Sequence, residues 1–237
     1  MERLKVLFRA LIHIKNIYGS LRWVFSDYYA FKSFLESRGY YSVCFYKIWL
    51  WKENARYFKV FNDSGRCFFL KLKDRTSIER ELFILSYIGS IDIKRICFYP
   101  QIFDSNSGYF SYNVYEDLEG MNFKKFSGDK VDILNQIIQC LRFFKNVKVV
   151  HRDIRPHNIL IVGRDLKILD YEHCALDHQV QNSGLELNKE FRVSSKVWDD
   201  AFSFKKMIDS YWNDSSVINT QAYKKINDMI GGYEYKE

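Results

Sequence analysis

The chain is short of the features that would force a special architecture. Its 237 residues include five cysteines, Cys44, Cys67, Cys97, Cys140 and Cys174, and no two form a C-x-x-C pair. An odd number without paired spacing speaks against zinc and implies reduced, mostly buried thiols of a cytosolic protein. No uninterrupted apolar run approaches the roughly 18 residues of a spanning helix. Arg9 and Lys15 break the apolar stretch that a signal peptide would need. Internal repeats and low-complexity linkers are also missing. A cytoplasmic chain is expected, at most peripheral at an inner membrane.

What is present is ordinary for a globular protein, apart from its aromatics. Hydrophobic residues make up 47%, charged residues 27% and aromatics 18%, with 17 Tyr and 20 Phe. No periodic aromatic motif appears, so these rings imply a bulky core. The formal net charge is +7, and Arg3, Lys5, Arg9, Lys15 and Arg22 face only Glu2 among the first 25 residues. Such a balance suits an anionic partner as well as a plain solvated surface.

Leu4, Leu7, Leu11, Ile14 and Tyr18 recur at three- and four-residue steps, which predicts an amphipathic helix over 4–18 with Gly19 as its stop. A second short helix is expected after Ser26, with Tyr28, Phe31 and Leu35 on one face and Gly39 beyond its end. The period then changes. YSVCFYKIWLW, ARYFKVFN and CFFLKLK read as three antiparallel strands. SIERELFILSYIG follows as a helix, capped by Ser77 or Thr76 and stopped at Gly89. QIFD and YFSYNVYED flank an SNSG turn and add two strands. The second half opens near Leu118. DKVDILNQIIQCLRFF sets Val131, Leu134, Ile138 and Leu141 on one helical face, and DDAFSFKKMIDSYW reads as a later helix.

Between these helices lies VVHRDIRPHNILIVGRDLKILDYEHCAL, residues 149–176. Its two short strands, NILIV and LKILD, hold Asn158 at one end and Asp170 at the other, with Asp153 in the preceding turn. Oxygen-bearing side chains converging in an apolar hairpin suit a hard divalent cation. Mg²⁺ takes few protein ligands and completes its shell with water and phosphate oxygens. Asn158 and Asp170 meet that need and leave Asp153 as a base or orienter toward an acceptor hydroxyl. His157 and His173 lack ligand spacing to any cysteine, and Leu169 and Tyr171 read as packing residues.

HRDIRPHN followed by ILDYE resembles the catalytic loop and metal-binding motif of the protein-kinase-like superfamily. The resemblance covers about residues 40–210. It implies an α+β, bilobal protein-kinase-like fold: a five-stranded antiparallel N-lobe sheet and a reduced helical C-lobe. The boundaries would be 1–39 for an N-terminal helical extension, 40–117 for the N-lobe and 118–237 for the C-lobe. It implies ATP and Mg²⁺. It makes Lys71 the phosphate-binding lysine, with Lys73 as fallback, and Glu81 its partner, with Glu79 as alternative. Backbone around Glu116 to Leu118 would meet adenine. Asp153 would be the catalytic base, Arg155 would steady the transferred phosphate, and Asn158 and Asp170 would hold the metal. Asp200, rather than Asp199, would brace the catalytic loop.

The chain departs from that pattern in three places. KIWLWKENARY, between the first two strands, has no glycine, where the family keeps a Gly-rich loop over the phosphates. Asp170-Tyr171-Glu172 replaces Asp-Phe-Gly, and no Ala-Pro-Glu follows. After Asp170 the sequence has 67 residues, too few for the full set of C-lobe helices. These features are similar to the small-molecule branches: choline and aminoglycoside kinases and the small bacterial kinases of lipopolysaccharide sugars. The acceptor is therefore expected to be a saccharide or glycolipid of the cell envelope, with Glu172, His173, Asp177, Asn182 and Glu186 as hydroxyl-binding candidates. Residues 1–18 would give peripheral membrane contact, and no nucleic acid is expected. The alternatives are a serine/threonine-type protein kinase with a trimmed C-lobe, or a pseudokinase scaffold.

Overall fold

The computed structural model describes residues 2–52, 54–91, 98–176 and 187–236, with backbone alone for 2–13. The chain divides into two compact units, one of residues up to Leu82 plus Gln101–Asp117, the other of Phe83–Pro100 plus the residues from Leu118 onward.

The first unit is built on a sheet. It contains α1 (Glu2–Ser26), α2 (Tyr28–Ser37), β1 (Tyr40–Phe45), β2 (Ala55–Asn62), β3 (Cys67–Lys73), the part of α3 (Arg75–Ile91) up to Leu82, β4 (Ile102–Ser107) and β5 (Ser111–Glu116). The five strands are antiparallel in the order β1-β2-β3-β5-β4, with one helix inserted after the third. Strand alternation sorts the side chains. Phe58, Val60, Phe68, Leu70, Leu72, Tyr112 and Val114 form one core with Phe31 and Leu35 of α2, and Trp23 of α1 packs against it. Phe31 and Leu35 are fully buried, each worth roughly 1.5–3 kcal/mol. Trp23, Phe31 and Leu35 thus pack the end of α1 and α2 onto the sheet.

Several local expectations give way to packing. Gly19 does not stop α1, which runs on to Ser26 because Ser20, Trp23 and Val24 turn inward beyond it. A mid-helix glycine costs only about 1 kcal/mol. The first strand ends at Phe45, not at Trp51. Lys47 adopts φ 44° and starts a 3-10 turn over Ile48–Leu50. Trp51 pulls the segment back: its ring is 2% exposed in the core and its Nε1 donates to the Tyr46 carbonyl at 3.1 Å. The cap of α3 is Asp74, whose carboxylate accepts from Ser77 N and Ser77 Oγ, both at 2.9 Å, and the helix passes Gly89 to end at Ile91.

The second unit carries α4 (Lys130–Asn146), α5 (Asp200–Tyr211), α6 (Ser215–Ile218) and α7 (Gln221–Asp228). Its strands are β6 (Met121–Asn122), β7 (Val149–Val150), β8 (Ile159–Val162), β9 (Asp165–Ile168), β10 (Ala175–Leu176), β11 (Val197–Asp199) and β12 (Glu234–Lys236). They pair as β6-β8-β9, β7-β10 and β11-β12. Asp129 caps α4, and Ile133, Leu134, Ile137, Ile138, Leu141 and Phe144 line its buried side. Val131, expected on that face, lies in the first turn and is exposed. No helix among the described residues is long and apolar enough to cross a membrane.

Candidate active site

In the first unit, β3 is central, paired with β2 through Tyr57 and β5 through Asn113 at the level of Lys71. Leu70 and Leu72 face the α1–α2 side, so alternation sends Lys71 to the other. There its Nζ donates to Glu81 Oε2 of α3 at 2.9 Å, with the two side chains 9% and 2% exposed. The Asn113 amide ties this corner together, donating to the Tyr115 hydroxyl at 3.1 Å and to the Ile78 carbonyl at 3.4 Å. Burial, with the Glu81 carboxylate beside it, holds the Tyr115 phenol well above its usual range. Glu79 instead pairs with Arg75 one turn back at 2.7 Å on an exposed face, a contact worth little. The buried ion pair at this corner is therefore Lys71–Glu81.

In the second unit the catalytic loop leaves β7 at His151. Asp200, at the start of α5, braces it: its carboxylate accepts from His151 N at 2.7 Å and Arg152 N at 3.1 Å. Burial pushes the Asp200 carboxyl up to about 7, with those two N–H groups acting against the rise. Asp199 has another task. It caps α5 by accepting from Phe202 N at 3.0 Å, and it accepts from Gly231 N at 2.6 Å.

Asp153 is fully buried. Its Oδ2 accepts from Asn158 Nδ2 at 2.7 Å and lies 3.0 Å from Arg155 Nη2. Its Oδ1 is buried and has no hydrogen-bond partner among the described residues. Burial pushes this carboxyl up to about 6; the Arg155 guanidinium opposes the rise and the Asp170 charge adds to it. Such a group is poised near neutral pH for proton transfer.

Asn158 ends a 3-10 turn over Pro156–Asn158. Its carbonyl accepts from Leu169 N at 2.8 Å, which brings the residue before Asp170 alongside it. Its Nδ2 is committed to the Asp153 carboxylate and carbonyl. That leaves the amide oxygen as the atom able to serve a ligand. Asp170 sits at φ 70°, at the head of the turn Tyr171–His173. One amide oxygen and one carboxylate make a hard donor pair, which fits Mg²⁺ and poorly fits a soft metal.

His151 was not singled out from sequence, yet it links the two arms. Asp153 N donates to its Nδ1 at 3.3 Å, so its Nε2 is the donor to the Leu169 carbonyl at 3.2 Å. This neutral tautomer agrees with a pKa lowered by burial to about 4. Arg152 was missed as well. It is buried at φ 68° with its guanidinium over Trp198 and Tyr235, partners too far along the chain for any local signal. Tyr171 packs edge-on against His151 at 4.8 Å, as a packing residue.

Glu116 ends β5, its N donating to the Gln101 carbonyl and its carboxylate accepting from Gln101 N, each at 3.0 Å. Leu118 is half-buried. Among the acceptor-binding candidates, Glu172 Oε1 meets His173 Nε2 at 3.0 Å. Asp177, Asn182 and Glu186 lie outside the described residues.

A family model described as "Protein kinase domain" matches residues 72–197. The chain is 33% identical over 126 residues to "Serine/threonine-protein kinase AFC2" of Arabidopsis thaliana, covering 52% of this chain and 28% of that protein. It is 31% identical over 123 residues to "Probable serine/threonine-protein kinase MRK1 homolog" of Encephalitozoon cuniculi, covering 47% and 38%. It is 31% identical over 75 residues to "Dual specificity tyrosine-phosphorylation-regulated kinase 2" of Drosophila melanogaster, covering 30% and 10%. The chain thus spans 38% or less of each of these relatives. These matches overturn the expectation of a saccharide or glycolipid acceptor, and with it the bacterial lipopolysaccharide assignment. The glycine-free connection lies before the matched stretch, whereas Asp170-Tyr171-Glu172 and the segment without Ala-Pro-Glu fall within it, so the match tolerates those departures. With just over half of its residues matched, the chain belongs to the protein kinase domain family.

Proposed function

We propose that the chain is an ATP- and Mg²⁺-dependent protein kinase that phosphorylates serine or threonine hydroxyls. The observation that carries this reading is the Asp153 carboxylate: fully buried, raised to about 6, with Oδ2 held by Asn158 and Arg155 and Oδ1 left without a partner among the described residues. A serine or threonine hydroxyl of an acceptor protein would donate to Oδ1, and Asp153 would orient it and take its proton as its oxygen bonds to the γ-phosphorus of ATP and the bond from that phosphorus to the ADP oxygen breaks. Asn158 and Asp170 would hold Mg²⁺. Lys71, kept in place by Glu81, would hold phosphate oxygens, and backbone at Glu116 to Leu118 would meet adenine. Bound ATP and Mg²⁺ supply the phosphoryl group and neutralise its charge. Arg155, half-exposed beside Asp153, steadies the transferred phosphate. The names of the relatives, serine/threonine-protein kinases, support the protein acceptor. A bilobal arrangement with the helical part reduced to α4–α7 belongs to the same proposal, as does a cytoplasmic location.

The test is side-by-side labelling with radioactive ATP. Casein and a serine/threonine peptide library should take label, and Asp153→Asn should abolish it while circular dichroism stays unchanged. Label entering neither protein acceptor, or entering equally with Asp153→Asn, overturns the proposal. The glycine-free connection after β1 favours one rival, a scaffold that binds no nucleotide. Mg²⁺-dependent ADP binding by calorimetry counts against it.

A further inference from the structure

Arg152 immediately precedes Asp153, and its side chain occupies a slot made by two distant rings. Its guanidinium carbon lies 4.5 Å from the Trp198 ring centroid and 4.4 Å from that of Tyr235. The residue is 1% exposed. Trp198 and Tyr235 face each other as paired residues of β11 and β12, so a strand ladder sets the slot. The indole is fixed in turn, its Nε1 donating to the Leu187 carbonyl at 3.2 Å. We propose that this slot is a clamp that holds the catalytic loop in its working shape, with Trp198 and Tyr235 as positioning residues for Asp153. The role in turnover rests on the kinase reading above; the clamp itself does not.

Three independent features support it. First, Arg152 adopts φ 68°, a left-handed conformation that a residue other than glycine holds only when its surroundings impose it. Second, a buried guanidinium must recover its lost hydration. Two aromatic faces do this for a planar, delocalised cation better than for a compact ammonium. Third, the loop is pinned on either side of this residue. Asp200 accepts its N–H, and the Ile154 carbonyl accepts from Asn188 Nδ2 at 3.2 Å. The clamp therefore fixes the Arg152 side chain between these pins, beside the Asp153 peptide. None of the three elements belongs to the metal, nucleotide or acceptor sites assigned above. Tyr235 therefore reaches Asp153 through Arg152.

The experiment compares Tyr235→Ala, Tyr235→Leu and Tyr235→Phe in the full chain. Two readouts are taken: hydrogen–deuterium exchange of peptides covering residues 149–158, and kcat with KM for ATP on a casein acceptor. Tyr235→Ala and Tyr235→Leu should raise exchange in 149–158 and lower kcat about ten-fold, with KM for ATP unchanged within about two-fold. Tyr235→Phe keeps the ring face and should match wild type in both. If Tyr235→Ala does not fold, the leucine and phenylalanine variants decide: equal behaviour of the two overturns the clamp, since volume alone would then suffice. Wild-type exchange in Tyr235→Leu overturns it too. A wild-type chain that shows no turnover, yet gains exchange in 149–158 on Tyr235→Leu, keeps the clamp and sinks the kinase reading. Turnover with unaltered exchange does the reverse.

Discussion

Replacing Arg155 with methionine should move the acid limb of the pH–rate profile upward by about one pH unit. Asp153 must be ionised to take a proton, and burial has lifted it to about 6, with Arg155 as the leading group opposing that rise. The ion pair is 3.0 Å long and the arginine side chain is 42% exposed, so water-like screening applies. Two unit charges at that separation then interact by about 1.4 kcal/mol, which is about one pKa unit. The limb of kcat/KM against pH should pass from about 6 to about 7. The sign for stability follows the same carboxyl. Its folded pKa is raised above that of the unfolded chain, so its contribution is fully present below the unfolded value. The loss is complete as pH rises through about 6 in the wild type, and in the variant it continues to higher pH and is larger. The assay is kcat/KM for ATP and a peptide acceptor at fixed ionic strength, with Arg155→Lys as the charge-keeping control. A lower plateau would report the phosphate role. A limb that stays at about 6 or falls would refute the electrostatic reasoning.

Lys71→Met should abolish phosphotransfer and also lower stability by about 3 kcal/mol in urea unfolding, because it strands the buried Glu81 charge. Lys73→Met, on a half-buried residue, should do neither; equal losses would move the assignment along β3. Asp200→Asn sets an amide N–H₂ against one of the two loop N–H donors, and should cost about 2 kcal/mol, read by urea unfolding. A stability within error of wild type would show that the brace is dispensable. Gly120→Ala would place its Cβ 2.8 Å from the Ile161 carbonyl oxygen. The backbone of β8 must then shift, at about 1–3 kcal/mol, seen as a lower Tm. An unchanged Tm would mean that the β6–β8 pairing yields freely.

Much of the site is written in short stretches of sequence. HRDIRPHN carries Asp153 and Asn158 five residues apart, and a hairpin of Ile, Leu and Val ending at Asp170 brings its two ends together by ladder pairing. The strands β2 and β3 could be read residue for residue because their alternation is local, and so could the direction of Lys71, opposite to its leucine neighbours. Elsewhere local signals lost to packing. Gly19 and Gly89 look like helix stops and are not, because a single glycine costs less than the helical turns beyond it recover. Trp51 belongs to an apolar run that reads as strand, but the core takes its ring and folds the segment into a turn. Ser77 reads as a cap, while Asp74 lies where the first open N–H groups point.

The acceptor class was misread for a related reason. Missing glycines and a missing Ala-Pro-Glu describe what surrounds a catalytic loop, and they do not say which hydroxyl enters it. Sequence by itself determined the extent of β2 and β3, the direction of Lys71 and the spacing of Asp153, Asn158 and Asp170, because those depend on neighbours a few residues apart. The resemblance already named Glu81 for Lys71 and Asp200 for the loop, but only the tertiary structure decided between Glu81 and Glu79, gave Asp200 its two loop N–H groups, and put Trp198 and Tyr235 around Arg152. Each of those contacts joins residues that the chain separates. Their free energy comes from burying charge or aromatic surface together, and that is settled only when the whole unit has packed.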